Sequence, residues 1–143
     1  MPRGLIVIAG LLLAAAAGRP ALAQGPPALD READKARRAW FAHDPNALVA
    51  GTSRVQIRLP GADPSAAIGP QQAAALLRDF MASADEVETV TRSAREVEPG
   101  RGYVELQRKY RVSGTQDVRS QTLLLGYRMG PSGWVLVELR VGG

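Results

Sequence analysis

Cysteine is absent from this 143-residue sequence, so neither a disulfide nor a lipid-bearing thiol can form, and a hydrophobic core must hold the fold. Histidine occurs once, at His43, and aromatic residues make up only 5% of the chain. No second histidine or paired acid lies at ligand spacing beside His43, so we expect no metal and no cofactor. Because turns are usually solvated, we expect His43 to be a surface residue.

Catalytic and nucleic-acid-binding motifs are missing as well. No Gly-x-Ser-x-Gly sequence occurs, and the glycines form no phosphate-binding pattern. The formal net charge is +4, but the basic residues are spread out and are densest only at Arg37-Arg38 and Arg108-Lys109. A nucleic-acid surface needs a basic stripe with stacking aromatics, so we expect no nucleic-acid partner.

The N-terminus has the three parts of a secretory signal peptide. Basic Met1-Pro2-Arg3 precedes an apolar run from Leu5 to Ala17, and Ala21-Leu22-Ala23 supplies small residues for signal peptidase. The run is shorter than the roughly 20 residues that span a bilayer. We therefore expect residues 1–23 to be removed after Ala23, and the mature protein to be periplasmic or extracellular without membrane insertion.

The remaining 120 residues are enough for one domain with a sizeable core. Residues 24–28, rich in Gly and Pro, are expected to be a linker, and residues 29–143 a single domain. The segment 1–23 contains two of the 18 basic residues and no acid, so the mature net charge is +2.

Apolar spacing predicts three helices and then mostly strands. Residues 29–41 have helical periodicity, Asp44-Pro45 is typical of an N-cap before residues 46–50, and Gly69-Pro70 opens a third helix. The predicted apolar stripe of that third helix contains Ala73, Leu76, Leu77, Phe80 and Ala84. Residues 53–59 alternate as a half-buried strand, and Gly-rich turns divide the rest into strands 86–98, 102–112, 117–129 and 134–141.

This order resembles the nuclear transport factor 2-like superfamily, which includes ketosteroid isomerases and polyketide cyclases. The resemblance is carried by the segment Ala39-Trp40-Phe41-Ala42-His43-Asp44-Pro45-Asn46-Ala47-Leu48, the Gly69-Pro70 helix and the closing strand from Gly133 to Val141. That strand is also similar to small exported bacterial domains of unknown function. The resemblance implies an α+β cone in which a curved antiparallel sheet wraps a long N-terminal helix. It leaves function open, since the superfamily contains enzymes and binding modules.

Strand parity supplies the candidate site residues. With Met129 opposite Trp134, one sheet face is predicted to carry Leu123, Leu125, Tyr127, Trp134, Leu136, Glu138 and Arg140. The opposite face is predicted to carry Leu124, Val135, Val137, Leu139 and Val141, joined by Val104, Leu106, Arg108, Tyr110 and Val112 if the preceding turn spans residues 113–117. A one-residue slip would reverse this assignment. We expect Arg108, Glu138 and Arg140 to lie at sheet margins, or Glu138 and Arg140 to pair on a partly open surface. We expect the helices on the second face, and Trp40, Phe41 and Phe80 in the core.

Three functions remain open. The leading expectation is an exported, non-enzymatic module that binds a small apolar ligand or an envelope protein, with Trp40 and the first face as pocket or as homodimer interface. The alternative is an acid–base isomerase or dehydratase, with Glu138 as base and Arg108 or Tyr110 as donor. The third is an accessory subunit of an envelope assembly. A desolvated Glu138 in a concave pocket would favour the enzyme, and a filled cone would favour the binding module.

Overall fold

A computed structural model describes residues 27–143, so the predicted signal peptide and its cleavage site lie outside the described residues. The helices are α1 (Pro27–Phe41), α2 (Pro45–Leu48) and α3 (Pro70–Met81), and the strands are β1 (Gln56–Arg58), β2 (Ala84–Glu98), β3 (Arg101–Val112), β4 (Val118–Gly130) and β5 (Gly133–Gly142). The predicted element order and the α+β class are confirmed. Helix α1 begins two residues before the predicted boundary at residue 29.

Helix α1 presents an apolar stripe to the sheet and ends in a well-defined turn. Leu29, Ala33, Ala36 and Trp40 are all buried at helical spacing. At its C-terminus, the Asp44 amide donates to the Ala39 carbonyl and the His43 amide to the Trp40 carbonyl, both at 2.9 Å. This is the Schellman arrangement, with His43 in the left-handed position at a φ of 55°.

The second and third helices are short, and one predicted stripe differs from the structure. Asp44 caps α2 as predicted, since its carboxylate accepts from the Ala47 amide at 3.2 Å. The buried residues of α3 are Ala73, Ala74, Leu77 and Met81. Leu76 is exposed, and Ala84 begins β2 instead of ending the helix.

The strands form one sheet in the order β1-β5-β4-β3-β2. Strands β2 to β5 make the predicted antiparallel meander, and β1 lies parallel to β5 at one edge. The loop after β1 covers its outer edge. There the Ser65 amide donates to the Ile57 carbonyl at 2.8 Å, and Val55 and Ile68 exchange two backbone bonds of 2.9 Å.

The structure mixes the two predicted sheet faces. The helices cover Val104, Leu106, Leu139 and Val141, as predicted, but they also cover most of the face that was predicted to be open. The buried residues of the central strands are Val104, Leu106, Leu123, Leu125, Tyr127, Trp134, Leu136, Leu139 and Val141. We call this helix-covered side the inner face and the other side the outer face. Val135, Val137 and Leu124 lie on the outer face and are only partly buried. The predicted interface residues Leu123, Leu125, Tyr127, Trp134 and Leu136 are therefore core residues of the monomer.

Two register details explain this error. The β3–β4 turn is one residue tighter than predicted, since the Val112 amide donates to Asp117 and Arg111 lies opposite Val118. Val104 and Leu106 consequently face Leu125 and Leu123. In the β4–β5 hairpin, Met129 lies opposite Trp134 as predicted, but a bulge between Gly126 and Tyr127 shifts the pairing beyond it. A one-residue shift exchanges the two faces of every following position.

Phe41 is a second correction. The predicted core aromatics were Trp40, Phe41 and Phe80, and Trp40 is fully buried while Phe80 packs at the margin of the core. Phe41 is 48% exposed, because it lies one helical position away from the buried stripe.

Candidate functional site

A buried ion pair occupies the inner face at the end of the cone nearest the α1–α2 turn. Arg108 on β3 and Glu86 on β2 have side chains that are only 1% and 2% exposed. The Arg108 Nε donates to Glu86 Oε2 at 3.2 Å, and its Nη2 contacts Oε1. Its Nη1 donates to Gln121 Oε1 at 2.9 Å. All three guanidinium nitrogens therefore have partners within the protein.

Aromatic rings enclose the same guanidinium. The Arg108 Cζ lies 4.0 Å from the ring centroid of Tyr110, 5.2 Å from that of Trp40 and 5.7 Å from that of Phe80. These separations are within the range of cation–π attraction, which is stronger for a desolvated cation. We call Arg108, Glu86, Gln121, His43 and the three rings the inner cluster.

His43 joins the inner cluster through Glu86. Its Nε2 lies 3.1 Å from Glu86 Oε1, and its side chain is 30% exposed. His43 is therefore partly solvated, as predicted, but it also contacts a buried carboxylate, which was not predicted. A Schellman turn usually has glycine at this position, and a side chain there carries a conformational cost. The contact with a buried carboxylate gives a physical reason for histidine to occupy it.

The predicted acid–base residues are divided between the two faces. Arg108 and Tyr110 meet in the inner cluster, as their shared strand parity predicts. Glu138 lies on the outer face, where it accepts from Arg140 Nε at 2.8 Å, and its side chain is 26% exposed. Glu138 is therefore neither desolvated in the cone nor next to the predicted donors.

Glu86 was not among the predicted site residues, although a signal for it existed. Arg108 is a charge in an apolar row, and a buried charge needs an opposite partner. Glu86 and Glu88 would share a face in a regular strand. A bulge between them turns Glu86 inward, opposite Tyr110, and leaves Glu88 opposite Lys109.

The outer face carries a groove between β4, β5 and the loop after β1. Its volume is about 550 Å³, within the range of small-molecule sites. The lining residues are Arg58, Leu59, Pro60, Gly61, Ala62, Asp63, Thr122, Leu124, Arg140, Val141, Gly142 and Gly143. A smaller depression of about 210 Å³ shares Arg58 and Arg140 and adds Gln56, Pro64 and Glu138. We call the two together the outer groove.

Residues 27–143 also include one phenol with a shifted pKa, that of Tyr127. Burial raises the pKa of the Tyr127 hydroxyl above its usual range, so this phenol is neutral in the core. No group of three or more His, Asp or Glu side chains within this part of the chain is placed to hold a metal ion. None of its helices is both long and apolar enough to cross a membrane.

No family model and no curated protein matches the sequence, but solved structures share its fold. A ketosteroid isomerase-like protein from Erwinia carotovora atroseptica matches with a TM-score of 0.65 and 15% identity over 80% of this chain and 92% of that one. A DUF4783 family protein from Bacteroides ovatus matches with a TM-score of 0.61 and 10% identity over 75% and 90%. An NTF-2 like protein of unknown function from Shewanella oneidensis matches with a TM-score of 0.61 and 11% identity over 82% and 98%.

The chain therefore has the nuclear transport factor 2-like cone fold that its sequence resembles, a fold also described as cystatin-like in a Nostoc punctiforme domain. At these identities the likeness establishes the fold alone, since this fold hosts unrelated activities.

Proposed function

We propose that this protein is an exported, non-enzymatic binding module that takes its ligand in the outer groove. The observation that carries the proposal is the full engagement of the Arg108–Glu86 ion pair within the inner cluster. Both Glu86 oxygens and all three Arg108 nitrogens are engaged by side chains of the same domain. An acid–base enzyme of this fold would need a carboxylate available to its substrate, and the one carboxylate of the inner cluster is neutralised by an arginine.

The outer groove has the character of a preformed site. Its loop wall is attached to the sheet by the Ser65–Ile57 bond and by the Val55–Ile68 bridge. The Ser65 hydroxyl additionally accepts from the Ile57 amide at 2.9 Å. A wall held by backbone bonds loses little conformational entropy when a ligand arrives, which favours binding.

A fragment screen followed by NMR tests this proposal. We expect small-molecule hits to shift the amide resonances of the groove, at Leu59, Gly61, Ala62 and Thr122 to Leu124. The Arg58→Glu variant should lose these hits, and Val97→Glu, at an exposed position on β2, should keep them. Hits that shift only residues of the inner cluster, or no groove hits at all, would overturn the proposal.

Export is tested separately. If signal peptidase cleaves after Ala23, the mature chain begins at Gln24 and can lose ammonia by cyclisation. Intact mass spectrometry of the exported protein measures this directly. Secreted protein that retains Met1 to Ala23 would contradict cleavage after Ala23, and a product that stays in the cytoplasm would contradict export.

The acid–base alternative keeps one specific observation in its favour, the His43–Glu86 contact. A histidine held by a buried carboxylate and partly open to solvent is an arrangement that can move a proton. If it were catalytic, His43→Asn would abolish turnover of an isomerase or dehydratase substrate while leaving the fold intact. Unchanged stability together with no activity in either protein would favour the binding module.

A homodimer also stays a prediction, now without an assigned surface, since the predicted interface residues are in the monomer core. Sedimentation at tens of micromolar measures the oligomeric state. This concentration is set by ordinary interface affinities.

A further inference from the structure

The outer groove contains an unusual pairing of like charges. Strands β1 and β5 place Arg58 and Arg140 directly opposite each other, both exposed on the outer face. Neighbouring strands are about 4.8 Å apart, and like charges at opposed positions destabilise a sheet. Two arginines in this position are therefore a structural cost that a bound anion would relieve.

The acids nearby satisfy these arginines only in part. Glu138 binds Arg140 through Nε, and neither terminal nitrogen of Arg140 forms a hydrogen bond within residues 27–143. In the same described part of the chain, no carboxylate lies within ion-pair distance of the Arg58 guanidinium. Asp63 lines the groove without pairing to either arginine. The groove thus offers guanidinium N–H groups of the kind that bind planar anions as a fork.

The charge count of the groove selects the type of anion. Among the side chains that line the groove, Arg58 and Arg140 contribute two positive charges, and Asp63 and Glu138 contribute two negative ones. A dianionic phosphate would make the site strongly negative, whereas a monocarboxylate adds a single charge. The floor and wall beside the arginines are apolar at Leu59, Pro60 and Leu124. Such a surface suits an apolar body attached to the charged head.

We propose that the outer groove binds an amphiphilic monocarboxylate, with its carboxylate between Arg58 and Arg140 and its apolar body along Leu59 and Leu124. This inference rests on the proposed function and specifies its ligand class. The loop that carries Leu59 and Asp63 is held to β1 by backbone bonds, which keeps the apolar wall beside the strands that carry the two arginines.

Titration of the folded protein with monomeric decanoate, followed by NMR and calorimetry, tests the inference. We expect decanoate to bind with groove resonances shifting, and decanol and decylamine to bind at least about tenfold more weakly, because they lack the anion that the guanidinium groups recognise. Arg58→Met should weaken decanoate binding about tenfold or more. Arg95→Met is the matched control, an exposed arginine on the outer face of the other edge strand, and should bind normally.

Three results would overturn the inference. The first is that decanoate does not bind at concentrations up to about 1 mM, the weak end of specific affinities. The second is that decanoate and decanol bind equally well. The third is that Arg58→Met binds decanoate as tightly as the unmodified protein. If decanoate fails but neutral or cationic fragments still bind the groove, the ligand class is wrong and the proposed function stands. If all ligands instead shift the inner cluster, the proposed function fails as well.

Discussion

Two arginine–glutamate pairs of the sheet lie on opposite faces and differ in their exposure. Arg108–Glu86 on the inner face is about 1–2% exposed and is surrounded by aromatic rings. Arg140–Glu138 on the outer face has side chains 48% and 26% exposed. Removing one partner of a buried pair leaves an uncompensated buried charge, whereas an exposed pair is screened by water and contributes little. The buried arginine–glutamate pair therefore has a structural role, whereas the exposed pair is accessible to a ligand.

The largest expected effect comes from placing a charge in the apolar core of the inner face. Leu125→Glu buries a carboxylate where no partner is available, and we expect a loss of several kcal/mol, comparable with the total stability of about 5–15 kcal/mol of a domain. Leu124→Glu changes the neighbouring residue on the outer face and should cost far less. Urea denaturation of both variants measures the difference. Equal losses would mean that the two faces are wrongly assigned.

Breaking the buried ion pair should have the next largest effect. Glu86→Gln leaves the Arg108 charge enclosed without a counter-ion, and we expect a loss of about 3–5 kcal/mol in the free energy of unfolding. The double variant Glu86→Leu/Arg108→Met removes both charges and should recover most of that loss. The single variants Glu86→Leu and Arg108→Met complete a double-mutant cycle with the double variant, and urea denaturation of all three reports the coupling. Additive losses would show that the two side chains do not act as a pair.

Truncation of Trp40 removes a fully buried side chain that packs on Arg108. We expect Trp40→Ala to cost about 3–5 kcal/mol, toward the lower end if the cone collapses into the space. Phe41→Ala, on the next residue of the same helix, should cost clearly less because that ring is half exposed. Thermal and chemical denaturation give both values. A similar cost for the two variants would contradict the placement of α1.

The smallest expected effect is on the outer pair. Glu138→Gln should change the free energy of unfolding by at most about 1 kcal/mol, with the difference shrinking as salt is added. The same variant should strengthen decanoate binding, because it removes a negative charge beside Arg140. Denaturation at low and high salt, together with the titration, measures both effects. A loss of unfolding free energy as large as that of Glu86→Gln would contradict the expected difference between the two faces.

The local sequence pattern predicts that Arg108 and Tyr110 of the inner cluster share one face. It does not predict that Glu86 and His43 belong to the same cluster. Arg108 and Tyr110 share strand parity with Val104 and Leu106, so their common face was predictable. The inward position of Glu86 was not predictable, because the bulge after it reverses the parity of β2. His43 was also missed, since its Schellman turn has no glycine to mark it and its contact lies 43 residues away in sequence.

The sequence by itself determined the order of helices and strands, the Asp44 cap and the approximate places of the turns, because periodicity, caps and turn residues act over a few neighbouring positions. The cone fold was implied by the resemblance to a known superfamily. Only the tertiary structure decided which sheet face the helices cover, which charges are buried, and that Arg58 lies beside Arg140. The physical reason is the two-residue period of a strand. One tighter turn and one bulge exchange the faces, and such shifts are set by packing across the whole sheet.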